Sequence, residues 1–155
     1  MNESMALVTG GGPARRVEIR RSLQAPIERV WEAITDAKEV SLWWNEAEIE
    51  SREGGRVKVG TFVDGTVKVF QPPYVLEFTW NDNDEKPGLV RFDLVQESES
   101  RTTITVTQFG PVAEVIPASA GWHDICDRLV AVVEEGKPES HFAELMEVYK
   151  NAGVH

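Results

Sequence analysis

The chain has 155 residues, enough for one domain with a substantial core, and 41% hydrophobic against 27% charged residues is the balance of a soluble globular protein. A formal net charge of -10 argues against nucleic-acid binding, because the one basic run, Arg15, Arg16, Arg20 and Arg21, is interrupted by Glu18 and split by strand alternation. The single cysteine, Cys126, excludes an internal disulfide. With no secretory signal and no apolar run of about 20 residues, it points to a cytoplasmic protein without a membrane partner.

Residues 1–13 read as a flexible leader, since TGGGP lacks the lysine and hydroxyl residue of a phosphate loop. From Arg15, Val17, Ile19 and Leu23 alternate with polar residues as a half-buried strand. Arg21 falls on the apolar parity, so it is expected to guard a sheet edge or, alternatively, to enter a cavity and meet an anionic head group. Ile27, Val30, Trp31 and Ile34 then repeat with helical period behind Pro26. Asp36 and Glu39 form a loose capping box for a second short helix ending in Trp43 and Trp44.

Asp64-Gly65 predicts a hairpin between RVKVGTFV and TVKVF, and Pro72-Pro73 ends the second strand. YVLEFTW, LVRFDLV and RTTITVTQF alternate as further strands joined by polar turns, which predicts an antiparallel sheet. On that parity Glu77 and Asp93 face solvent. After Pro117, Trp122, Ile125, Cys126, Leu129, Val132 and Val133 mark a long amphipathic helix, with Gly121 allowing its entry and Gly136 and Pro138 stopping it. Phe142, Leu145, Met146 and Tyr149 mark a last helix. The order gives an α+β fold: an antiparallel sheet of about six to seven strands covered by one long helix, with two short helices at one end.

The segments APIERVWEAITDAKEVSLWW, SREGGRVKV, DGTVKVFQPPYVLEFTW and GWHDICDRLVAVVE, in this order, resemble the helix-grip (START-like, SRPBCC, Bet v 1-like) superfamily. Within it they resemble the family related to the C-terminal domain of the activator of the heat-shock-90 chaperone ATPase. The resemblance covers residues 15–135 and sets the domain at 14–136, with 137–155 as a C-terminal helical extension. Gly54-Gly55 matches the family's turn into the sheet. The resemblance implies a cavity between sheet and long helix, where superfamily members hold apolar or amphiphilic molecules and a minority catalyse cyclisation.

The expected lining is Trp43, Trp44, Phe62, Phe78, Trp80, Phe92, Trp122, Cys126 and Arg21, with Trp44 the more exposed of the adjacent tryptophans and near the cavity entrance. Alternation by itself does not distinguish a hollow interior from a filled one. Cys126 reads as a buried small hydrophobe rather than a nucleophile. His123 with Asp127 and Asp124 with Arg128 read as exposed i, i+4 pairs, so no metal, cofactor or catalytic residue is assigned. The function expected is binding of a small hydrophobic ligand. The alternatives are a co-chaperone-like protein interaction and an enzyme on a small hydrophobic substrate. The chaperone activator's additional N-terminal domain has no counterpart here, which weakens the co-chaperone alternative. The C-terminal helix could cover its own body or a second copy, so a homodimer stays open.

Overall fold

A computed structural model describes residues 5–10, 15–110 and 115–153. Its elements run β1 (Leu7–Thr9), β2 (Arg16–Leu23), α1 (Ile27–Thr35), α2 (Ala37–Trp43), β3 (Ala47–Ile49), β4 (Arg56–Val59), β5 (Val63–Gln71), β6 (Val75–Thr79), β7 (Leu89–Ser98), β8 (Arg101–Phe109), α3 (Val115–Val133) and α4 (Phe142–Asn151). The strands form one sheet in the order β1-β2-β8-β7-β6-β5-β4-β3, with every ladder antiparallel. The β2–β8 pairing brings the two ends of the domain together, and α3 lies in the curve of the sheet. This is the helix-grip arrangement. No helix among the described residues is long and apolar enough to cross a membrane.

The sheet has eight strands rather than six or seven. The additional ones, β1 and β3, are three residues each, too short to show a period. β1 lies within residues 1–13, read above as a flexible leader: Leu7, Val8 and Thr9 pair with Glu18, Val17 and Arg16. Residues 1–4 and 11–14 lie outside the described residues.

The expected Asp64-Gly65 hairpin is also corrected. These two residues lie inside β5, paired with Lys58 and Val57, and the chain reverses instead between Val59 and Val63. Gly60 supplies the turn's left-handed backbone, with φ of 54°. Gly65 is glycine for another reason: a Cβ there would sit 1.8 Å from the carbonyl oxygen of Thr79 on β6. The Asp-Gly pair therefore marks a close approach of backbones rather than a turn.

Asp36 caps α2 by accepting from the Lys38 backbone N–H at 3.0 Å. Glu39, expected to complete the box, pairs with Arg29 on α1 at 2.8 Å and so ties the two helices together. Pro117 and Gly121, expected before the long helix, both lie within α3. Trp122, Cys126, Leu129 and Val133 form its inner stripe, all buried against the sheet. The helix ends with Glu135 in the left-handed region, and the Gly136 N–H donates back to Ala131 O at 2.7 Å.

Candidate functional site

An open pocket of about 910 Å³ lies between the end of α2, the outer part of the sheet and one side of α3. Trp44, Phe62, Trp80 and Trp122 form a continuous aromatic wall. Trp44 stands 5.1 Å from Trp122, 6.1 Å from Trp80 and 6.3 Å from Phe62, measured between ring centres. These contacts are tilted rather than face to face, as ring quadrupoles favour. Gly121 and Ile125 supply the helix side, and Phe142 at the start of α4 closes part of the rim.

The helix stops between the adjacent tryptophans, whose rings stack on each other at 5.7 Å. Trp43 is the last residue of α2, and its indole N–H donates to Ala33 O at 2.8 Å beneath α1. Trp44 is the C-cap, with φ of -118° and ψ of -86°, which turns its side chain away from α2's own face. Trp44 is the more exposed of the two, as expected, at 6% against 1%, although both are buried. Trp44 nevertheless borders the pocket and Trp43 does not. The indole N–H of Trp44 is buried without a partner, whereas that of Trp43 is satisfied.

Of the nine residues expected to line a cavity, Trp44, Phe62, Trp80 and Trp122 border this pocket. Trp43, Phe78, Phe92 and Cys126 belong to the packed core beneath it, with Phe78 and Phe92 stacked at 6.0 Å. The interior is thus filled under the deeper part of α3 and open at one end. Burial pushes the Cys126 thiol up to about 12, the dominant influence over the nearby Arg21 and Asp127 charges. Burial thus favours the protonated thiol at neutral pH, the form that is a poor nucleophile.

Arg21 neither guards an edge nor faces the pocket. β2 lies between β1 and β8, and Arg21 is buried beneath α3, where its Nε donates to Asp127 Oδ1 at 2.9 Å. Asp127 also meets His123 Nε2 at 3.3 Å, and His123 Nδ1 lies 2.8 Å from the Tyr149 hydroxyl. That hydroxyl also accepts from the Ala6 backbone N–H. One chain of hydrogen bonds thus joins the segment before β1, α3, α4 and β2.

The same packing corrects the second expected surface pair. Asp124 is 2% exposed: it accepts from Ser140 Oγ at 3.0 Å and the His141 N–H at 2.5 Å, and pairs with Arg128 at 3.3 Å. His123 and Asp124 are covered because α4 folds back on the outer face of α3, whereas Asp127 keeps a 41% exposed side chain. Glu77 and Asp93 lie opposite the buried Leu76, Phe78, Phe92 and Leu94, as expected, and there share Arg91 at 3.5 and 3.0 Å.

Burial raises the Asp127 carboxyl, but hydrogen bonds from His123 and Arg21 and the charge of Arg21 overcome it and hold it below its ordinary value of 3.8. A carboxyl lowered by folding stabilises the fold above its unfolded value and loses that contribution as pH falls through its folded value. Stability measured by urea unfolding is therefore expected to drop below about pH 4. Asp127→Asn should make this drop shallower, and an unchanged acid dependence in the variant would contradict the assignment.

Residues the sequence reading left out also border the pocket: Asn45, Lys86, Gln108, Arg128 and Phe142. Gln108 carried a signal, since it continues the inward parity of Ile104 and Val106 on β8. Its Oε1 accepts from the Trp122 indole N–H at 2.8 Å. No local signal places Phe142, which arrives from the C-terminal extension. Among the described residues, no three or more histidine, cysteine or acidic side chains gather as metal ligands.

Residues 24–134 match the model of the family described as "Activator of Hsp90 ATPase homolog 1-like protein". The chain belongs to this family. Among curated proteins, none matches. The family chain is similar in fold to CalU16 from Micromonospora echinospora, with 24% identity, TM-score 0.76, and 96% of this chain and 91% of that one covered. It is also similar to EF2215 from Enterococcus faecalis, a conserved protein of unknown function (18% identity, TM-score 0.80, 95% and 89% covered). A third similar structure is DynU16, from the dynemicin biosynthetic locus (28% identity, TM-score 0.68). There the alignment takes in 82% of this chain but only 50% of DynU16.

Proposed function

We propose that this protein binds a small, largely apolar molecule in the pocket beside α3. The observation that carries the reading is the aromatic wall of Trp44, Phe62, Trp80 and Trp122 facing about 910 Å³ of open space. That volume falls within the roughly 300–1,000 Å³ range of small-molecule sites, which are mostly apolar with a few placed polar groups. The likeness to a protein of a biosynthetic locus supports a small-molecule context.

Gly121 offers a direct test. It borders the pocket from the middle of α3, and a Cβ added there would meet only Phe142, at an ordinary 3.9 Å. Gly121→Leu therefore starts from a Cβ with room and puts apolar bulk on the pocket's helix side, and it removes a poor helix former, worth about 1 kcal/mol within a helix. Titration of the intrinsic tryptophan fluorescence with 8-anilinonaphthalene-1-sulfonate and 9-fluorenone should show saturable binding to the parent protein. The variant should bind at least about tenfold more weakly while melting no lower. Equal binding by both proteins, or none by the parent, would defeat the proposal.

A further inference from the structure

The walls of this pocket hold an excess of hydrogen-bond donors, and the excess specifies a ligand. Gln108 has one carbonyl oxygen and one NH2 group on its side chain. The oxygen is held by the Trp122 indole N–H at 2.8 Å, which fixes the orientation of the amide and leaves the NH2 as the group to be satisfied. Asn45 repeats the pattern: its Oδ1 accepts from the Glu46 backbone N–H at 2.8 Å, leaving Nδ2. Neither NH2 has a protein acceptor among the described residues. Trp44 Nε1 and Arg128 Nε are also donors without a partner, but they lie buried behind the pocket surface.

The buried carboxylate of the lining, by contrast, is taken. Asp124, the buried carboxylate at the rim, already receives Ser140, the His141 N–H and Arg128. Asp84 and Lys86, on the exposed loop over the mouth, add one charge of each sign. Arg128 and Asp124 offset each other in the same way, so the rim carries no net charge to attract an ion.

We infer that the ligand is a neutral aromatic carbonyl compound whose ring lies against the tryptophan wall and whose oxygen accepts from Gln108, with Asn45 as a second donor. The inference rests on the reading of this pocket as a ligand site. A hydrocarbon of the same shape would gain the ring contacts but strip water from donors and return nothing, at a cost of about 1–3 kcal/mol for each donor left unpaired. A carbonyl oxygen has lone pairs and no hydrogen of its own, so it matches the amide NH2 groups that Gln108 and Asn45 leave over.

Fluorene and 9-fluorenone are a matched pair of flat tricycles that differ at this one group. Fluorenone is expected to bind the parent protein about 3- to 10-fold more tightly than fluorene by calorimetry, the ratio one net hydrogen bond gives. Gln108→Glu keeps an acceptor for Trp122 and removes the donor, so it should bring the two affinities within about twofold. In the parent, the 1H–15N signals of the Gln108 side-chain amide should shift with fluorenone and stay in place with fluorene, a readout that needs no variant to fold. Equal affinities in the parent, or a preference that survives Gln108→Glu, would overturn the inference while leaving the pocket a binding site. Binding of neither compound would remove the ligand-site reading and the inference with it.

Discussion

Replacing Trp43 with alanine is expected to lower the unfolding free energy by about 3–5 kcal/mol, the range for truncating a fully buried large aromatic. Trp43 is 1% exposed, stacks on Trp44 at 5.7 Å and meets the edge of Phe92 at 6.4 Å. It also satisfies Ala33 O, so truncation opens a cavity and frees a buried carbonyl in α1. For a chain of this size, each kcal/mol moves the melting temperature by roughly 2–4 °C, so a fall of roughly 10 °C is the observable. The sharper comparison is between phenylalanine substitutions at the two positions. Trp43→Phe keeps an aromatic ring but loses the hydrogen bond to Ala33. Trp44→Phe keeps a ring and removes an indole N–H that has no acceptor. The first should cost clearly more than the second, and Trp44→Phe should be close to neutral. Equal losses in calorimetric melting would show that packing alone governs both sites.

Gly65→Ala is expected to be as damaging as a core truncation, although it adds only one methyl group. The new Cβ would lie 1.8 Å from the Thr79 carbonyl oxygen and 2.7 Å from its carbonyl carbon and Oγ1. Backbone atoms cannot rotate away from it, so relief requires β5 and β6 to separate. That separation would break the Thr66 N–H bond to Thr79 Oγ1, now 2.8 Å, and the Asp82 contacts of both threonines. The expected cost lies at or above the upper end of the roughly 1–3 kcal/mol typical of overpacking. The same change at Gly153, which has open space around it, should cost far less, from its backbone φ of 71° alone. Urea unfolding of the two variants side by side distinguishes a clash from a simple loss of glycine's backbone freedom. Similar midpoints would show that β5 and β6 yield easily at this point.

Periodicity made most of the elements legible. The 3.6-residue repeats of Ile27, Val30 and Ile34 and of Trp122, Cys126, Leu129 and Val133 record which side of each helix is buried. The two-residue repeats of β2, β6, β7 and β8 do the same for the sheet. These patterns arise from local geometry, so they survive in the sequence without a partner being known. Together with antiparallel connections, they determined the α+β class and the long helix set against a curved sheet.

Tertiary packing decided the rest. Asp64-Gly65 has the composition of a turn, yet it is a strand because of how closely β6 approaches, and Thr79 is fourteen residues further on. His123 and Asp124 occupy the polar side of α3, and only the return of α4 over that side buries them. The aromatic residues all read alike as apolar sheet or helix positions. Whether a ring fills the core, as Phe92 does, or borders open space, as Trp80 does, depends on where Phe142, Gln108 and the end of α2 meet. Amphipathic pattern encodes which residues leave water. The shape of the space they leave is set by contacts between segments far apart in the chain, for which a single sequence carries no periodic signal.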